Sequence, residues 1–133
     1  MADAVGTTTL INTQRRLVMK FQNLSDGTGE SAVIKVDVDA FLGPNLANCV
    51  AVAIDKVEYN VQGMNVAIKV AGTINSISTP TVLLLQGYGV KDMREAGGIN
   101  CRGTGSTNDI TFTTSGQTSG ASYDITLYMR KKD

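Results

Sequence analysis

The 133-residue chain is one domain's worth of protein, since domains commonly run from about 100 to 200 residues. With 42% hydrophobic and 18% charged residues it has the balance of a globular protein, which excludes a disordered chain. Twelve basic residues offset twelve acidic ones, which excludes the concentrated positive charge that nucleic-acid binding exploits.

Residues 1–12 are polar and Thr-rich, with neither the basic n-region nor the apolar h-region of a secretory signal. They read as an extended arm that adds nothing to a core. From residue 13 a period of two recurs, the mark of half-buried strands. In residues 13–23, Leu17, Met19 and Phe21 share one face and Arg16, Val18, Lys20 and Gln22 the other. In residues 30–38, Ala32, Ile34, Val36 and Val38 alternate against Val33, Lys35 and Asp37. Residues 49–61 read as one long strand whose phase changes. Val50, Val52 and Ile54 are in step, then Val57, Tyr59 and Val61 follow the other parity. One extra residue near Asp55 and Lys56, a β-bulge, restores the register. Gln62 and Gly63 read as a turn, with Met64, Val66, Ile68 and Val70 returning as the second strand of a hairpin.

Residues 81–86 form a short apolar strand, opened by Pro80 and closed by Gly87. Residues 87–109 read as a long loop of a kind that is uncommon in compact domains and usually functional or disordered. Its scattered hydrophobes, Tyr88, Val90, Met93 and Ile99, imply that it packs onto something. Ile110, Phe112 and Thr114 alternate in a further strand. Residues 121–130 give the cleanest pattern, with Tyr123, Ile125, Leu127 and Met129 on one face. Residues 40–48 and 91–96 have room for one helical turn each. The expected fold is therefore all-β: a single domain over residues 13–133, an antiparallel β-sandwich or jelly-roll-like domain, or a related barrel, of about seven to eight strands.

The search for chemistry returns binding, not catalysis. The chain has no histidine, so Ser–His and Cys–His nucleophile activation are excluded, as is the commonest metal ligand. Three glutamates, Glu30, Glu58 and Glu95, are not placed by spacing into the paired carboxylates of a sugar-cleaving site. Asp37 and Asp39 fail the calcium-loop pattern, because Phe41 stands where the third ligand belongs. Gly87–Tyr88–Gly89 and Gly103–Thr104–Gly105 lack the third glycine of a phosphate loop and read as turns. Arg15, Arg16 and the basic run at 130–132 read as solubilising guards on strand edges. Cys49 and Cys101 leave two readings open, a disulfide or two thiols in a cytosolic protein. The expectation is a module with no enzyme activity, no cofactor and no metal, and with no nucleic-acid, membrane or small-molecule partner.

Five blocks, residues 25–38, 57–64, 87–98, 109–114 and 119–132, together resemble small structural proteins encoded in the virion gene clusters of tailed bacteriophages. The likeness covers nearly the whole chain beyond the arm. It departs at residues 68–71, where a tryptophan is expected, and at Met93, where an aromatic residue is. The resemblance implies a virion protein of capsid decoration, or cement, type that binds the outer face of the major capsid protein and acts as a small homo-oligomer. A tail or head-tail ring component and a carbohydrate-binding β-sandwich on the virion surface are the alternatives. The interface candidates are Thr7, Thr8, Thr9, Leu10 and Ile11 of the arm, for strand addition or wrapping. From the loop come Tyr88, Met93 and Ile99 as anchors, with Lys91, Arg94 and Arg102 to pair with capsid carboxylates. Ordinary loop packing is the competing reading of Tyr88 and Met93.

Overall fold

The computed structural model describes residues 4–13, 15–27, 33–38, 41, 51–74, 77–78, 81–96, 98–101, 108–116 and 118–132. The strands are β1 (Ala4–Asn12), β2 (Arg16–Asp26), β3 (Val33–Val36), β4 (Ala51–Val70), β5 (Thr73–Ile74), β6 (Ile77–Ser78), β7 (Thr81–Asp92), β8 (Ile99–Asn100), β9 (Ile110–Ser115) and β10 (Ser119–Lys132). A 3-10 turn, Arg94–Ala96, lies between β7 and β8. Eight strands form one antiparallel sheet and β5 pairs with β6 in a small ribbon. The chain is all-β, and the large sheet curls into a nearly closed, barrel-like form.

β4 is the spine. Along one side it pairs first with β10 and then with β9; along the other it pairs with β8 and β7. Its alternation breaks twice, and each break has a structural cause. Tyr128 opposes Lys56 while Met129 opposes Ile54, so Asp55 is an extra, bulged residue, as the change of phase in the sequence requires. Further on, Val61 faces Gly87 and Val66 faces Leu85, leaving residues 62–65 opposite Gln86 alone. The strand bends there, and Gly63 supplies a φ of 75° that side-chain-bearing residues avoid.

This bend corrects the expected hairpin. Residues 64–70 do not fold back on 51–61. They continue the same strand, whose neighbours are brought from far along the chain. The long-loop expectation for 87–109 is corrected as well: β7 runs through Gly87 and Gly89 to Asp92, and Ile99–Asn100 returns to the edge of β4 as β8. The 3-10 turn occupies part of the expected helical turn at 91–96. The other expected turn, at 40–48, falls outside the described residues apart from Phe41.

The bend divides the sheet into two lobes. The first holds β1, β2, β10, the first half of β4 and the second half of β7; the other holds β3, β9 and the remaining halves of β4 and β7. Their inner faces meet. Phe112 of β9 packs edge-to-face on Phe21 of β2 at 5.1 Å and on Tyr123 of β10 at 5.8 Å between ring centroids. Leu17, Ile54, Ile68, Leu85, Ile110, Ile125 and Leu127 are among the fully buried residues of the same core. All but Leu85, which comes from the continuous apolar run at 81–86, are phase-matched residues of the sequence pattern, since alternate side chains of a pleated strand share one face.

Candidate functional site

With the apolar rows of the first lobe turned inward, the register sets its other side chains in outward rows. Ile11, Val18, Tyr128, Lys56 and Asp92 form one row across β1, β2, β10, β4 and β7. Thr8, Lys20, Thr126, Glu58 and Val90 form the next, then Gly6, Gln22, Asp124, Asn60 and Tyr88. Leu24, Ser122 and Gln62 extend a fourth. This five-stranded outer face is the candidate site.

The charges of this face largely neutralise one another. Lys20 Nζ lies 3.4 Å from Asp124, and Lys56 Nζ lies 3.4 Å from Glu58. The Tyr128 hydroxyl donates to Glu58 Oε1 at 3.0 Å, and Lys56 stands over the Tyr128 ring. Accepting that bond, Glu58 raises the Tyr128 pKa, with burial and the carboxylate's charge as smaller causes. At the β7 end Arg94 donates Nη2 to Asp92 Oδ2 at 2.5 Å and Nε to Oδ1 at 2.9 Å. These bonds, with the Arg94 backbone N–H, bring the Asp92 carboxyl down to about 2. Pairs this exposed add little stability. Their consequence is a face without a concentrated field of either sign.

The apolar groups stand toward the margins. Leu24 is 58% exposed and Ile11 44% on one side; Tyr88 is 80% and Val90 57% exposed on the other. Tyr88 sits between two glycines, so its ring rises from β7 with bare backbone on each side. Gly89 also leaves room for Tyr59, whose hydroxyl oxygen lies 3.3 Å from where a Cβ would be. A shallow depression of about 350 Å³ runs between Tyr88 and Lys20, over Asn60 and Asp124. A second, of about 240 Å³, opens by Ile11, Arg16, Lys56, Arg94 and Tyr128.

The structure separates the sequence-derived candidates. Thr8 and Ile11 join Tyr88 on the outer rows, and Arg94 lines the second depression. Thr7 and Thr9 point to the opposite face of β1, opposite Phe21 and Met19, and Leu10 sits at the irregularity between Thr9 and Ile11. From Ala4 onward the arm is itself a strand paired with β2, with side chains exposed from Val5 to Asn12. Met93 and Ile99 pack against the chain's own core instead of presenting outward anchors. Lys91 is exposed beside Val57 on β7. Arg102, Cys49 and Asp39 lie outside the described residues, and Cys101 is buried with Sγ toward Ile99 O at 3.5 Å.

Leu24, Val90, Lys20 and Asp124 were missed as site residues. Leu24 follows Phe21 by three in a period-two strand, so its outward parity was the available signal. Among the described residues no helix is long and apolar enough to cross a membrane, and no group of three His, Cys, Asp or Glu is placed to hold a metal. Comparison of the chain with protein-family models, with curated proteins and with solved structures found no match.

Proposed function

We propose that the chain is a non-enzymatic structural protein of a tailed-phage virion, a capsid decoration protein whose outer sheet face seats on the major capsid protein. It is made in the host cytoplasm and acts at the capsid surface, without cofactor, nucleic acid, membrane or small-molecule substrate. One observation carries the reading: an aromatic ring 80% exposed on a paired strand, beside an exposed valine, on a face whose charges are already matched. Aromatic anchors of this kind dominate protein interfaces, and internally paired charges limit the penalty of burying the surface around them. The resemblance of the strand and turn blocks to small virion proteins supports the same reading.

Size agrees with this. Five strands about 4.8 Å apart and four rows about 6.8 Å apart cover roughly 650 Å², near the about 800 Å² per partner of a stable contact. Symmetric repetition over a shell multiplies each contact. A preformed sheet also loses little freedom on binding. On the same grounds we read the two lobes as the layers of a sandwich, with the Phe21–Phe112–Tyr123 stack as the contact between them.

The test is to add purified protein to capsids lacking it and count bound copies. Hundreds per particle, saturable, are expected of a cement protein, against roughly six or twelve for a ring component. Tyr88→Ala weakens capsid affinity about 10- to 30-fold, corresponding to about 1.4–2 kcal/mol. Absence of association with capsids removes the proposal. A carbohydrate-binding reading draws on the depression where Tyr88 stands near Asn60 and Asp124; a glycan array with no bound glycan disposes of it.

A further inference from the structure

Among the described residues, β1, β3 and β7 are each paired along one side only. Natural sheets protect such edges with charge, proline, bulges or short length. β3 has four residues, one of them Lys35. β7 ends in Lys91 and Asp92, two charged residues. β1 has none of this charge or brevity. Its nine residues, AVGTTTLIN, contain no charged side chain and no proline, and its one irregularity comes late, between Thr9 and Ile11. Val5 is 55% and Leu10 53% exposed on it. An edge of this kind is stable in solution when another strand covers it.

We propose that β1 is a dimerisation edge, pairing antiparallel with β1 of a second copy about a two-fold axis at Thr7. Self-pairing demands a strand that tolerates its own reversed sequence, and a charge-free strand sets no like charges opposite each other. The register follows from the pleat. With Thr7 opposite Thr7, Val5 faces Thr9 and Gly6 faces Thr8, which keeps each side chain on the correct side of the joined sheet. The pairs Val5–Thr9 and Thr7–Thr7 are then β-branched throughout, the type that packs best across strands. The irregularity at Leu10 lies beyond this five-residue segment and bounds it. Joined this way, two copies extend one sheet and leave the Tyr88 margin of each free. The dimer is independent of the capsid reading, because it forms or fails in purified protein alone.

Thr7 and Thr9 are exposed, so lysine there is compatible with the folded subunit, which circular dichroism checks. Sedimentation of the wild-type chain is expected to give a dimer at micromolar concentration. Thr7→Lys/Thr9→Lys is expected to weaken association at least ten-fold, through like charges meeting across the axis. Mixing that variant with Thr7→Glu/Thr9→Glu is expected to restore a dimer of unlike subunits, which general damage to β1 does not produce. A wild-type chain that stays monomeric up to about 100 μM, a lysine variant that dimerises as well as wild type, or a mixture that fails to reassociate overturns the proposal.

Discussion

Gly98 is held to glycine by its surroundings. A Cβ there would lie 2.5 Å from Asp55 Oδ1 and 3.1 Å from the Ile54 carbonyl, at a φ of +80°. The neighbour cannot give way. Asp55 is the bulged residue of β4; its carboxylate accepts from Arg130 Nε at 2.9 Å to both oxygens, and its carbonyl accepts the Met93 N–H. Gly98→Ala is therefore expected to cost about 1–3 kcal/mol, read as a lower denaturant midpoint; an unchanged midpoint contradicts this packing. Tyr128 makes a second residue-scale prediction. Its folded pKa lies above the unfolded value of 10.0, chiefly because its hydroxyl donates to Glu58. A raised pKa contributes stability that is present below about pH 10 and lost as pH rises through the folded value. Alkaline absorbance titration of wild type against Tyr128→Phe should reveal a missing tyrosinate component with its midpoint above 10. A component at or below 10 breaks the Glu58 assignment.

At the scale of elements, the long alternating strands β2 and β10 were legible in the sequence, and those with glycine breaks were not. Nor was β3, where a register shift between Ile34 and Val36 leaves Ile34 57% exposed instead of buried with Val36 and Val38. Leu17, Met19 and Phe21 on β2, and Tyr123, Ile125, Leu127 and Met129 on β10, are buried as their parity requires. The bulge at Asp55 was readable from the phase change alone. At Gln62–Gly63 the same kind of signal was misleading, because a step in phase at glycine marks a hairpin and a bent strand alike. Partners decide between them, and those of β4 come from residues 81–92 and 110–132, which local pattern does not reveal. Gly87 and Gly89 ended the predicted strand for a similar reason: Gly89 is glycine to admit Tyr59, not to make a turn. The outer face was only half legible. Tyr88, Thr8 and Ile11 were candidates, but their assembly with Lys20, Asp124 and Leu24 is a product of register. The contact between lobes gives this scale its prediction. Phe112→Ala empties the centre of the Phe21–Phe112–Tyr123 stack and should destabilise by about 3–5 kcal/mol in urea unfolding. A loss under about 1 kcal/mol means the lobes are not held there.

Among the described residues the molecule combines a bent sheet, an outer face with matched charges and apolar margins, and an unguarded strand edge at β1. The proposed adhesion draws on the side chains of the outer face and the proposed pairing on the backbone edge of β1, so a dimer would present two faces to a repetitive shell at once. Lys131 supports the geometry: it is buried, donates to Asn12 Oδ1 and to Thr13 O at 2.6 Å, and so ties the β1–β2 turn to the end of β10. The proposed decoration role is decided by whether, and where, the molecule sits in a virus particle. An image of the virion with this chain labelled is expected to place copies across the capsid surface, the β1–β2–β10–β4–β7 face against the major capsid protein and Tyr88 buried in the contact. Label confined to the tail, copies seated by the opposite lobe, or particles without the chain would contradict it.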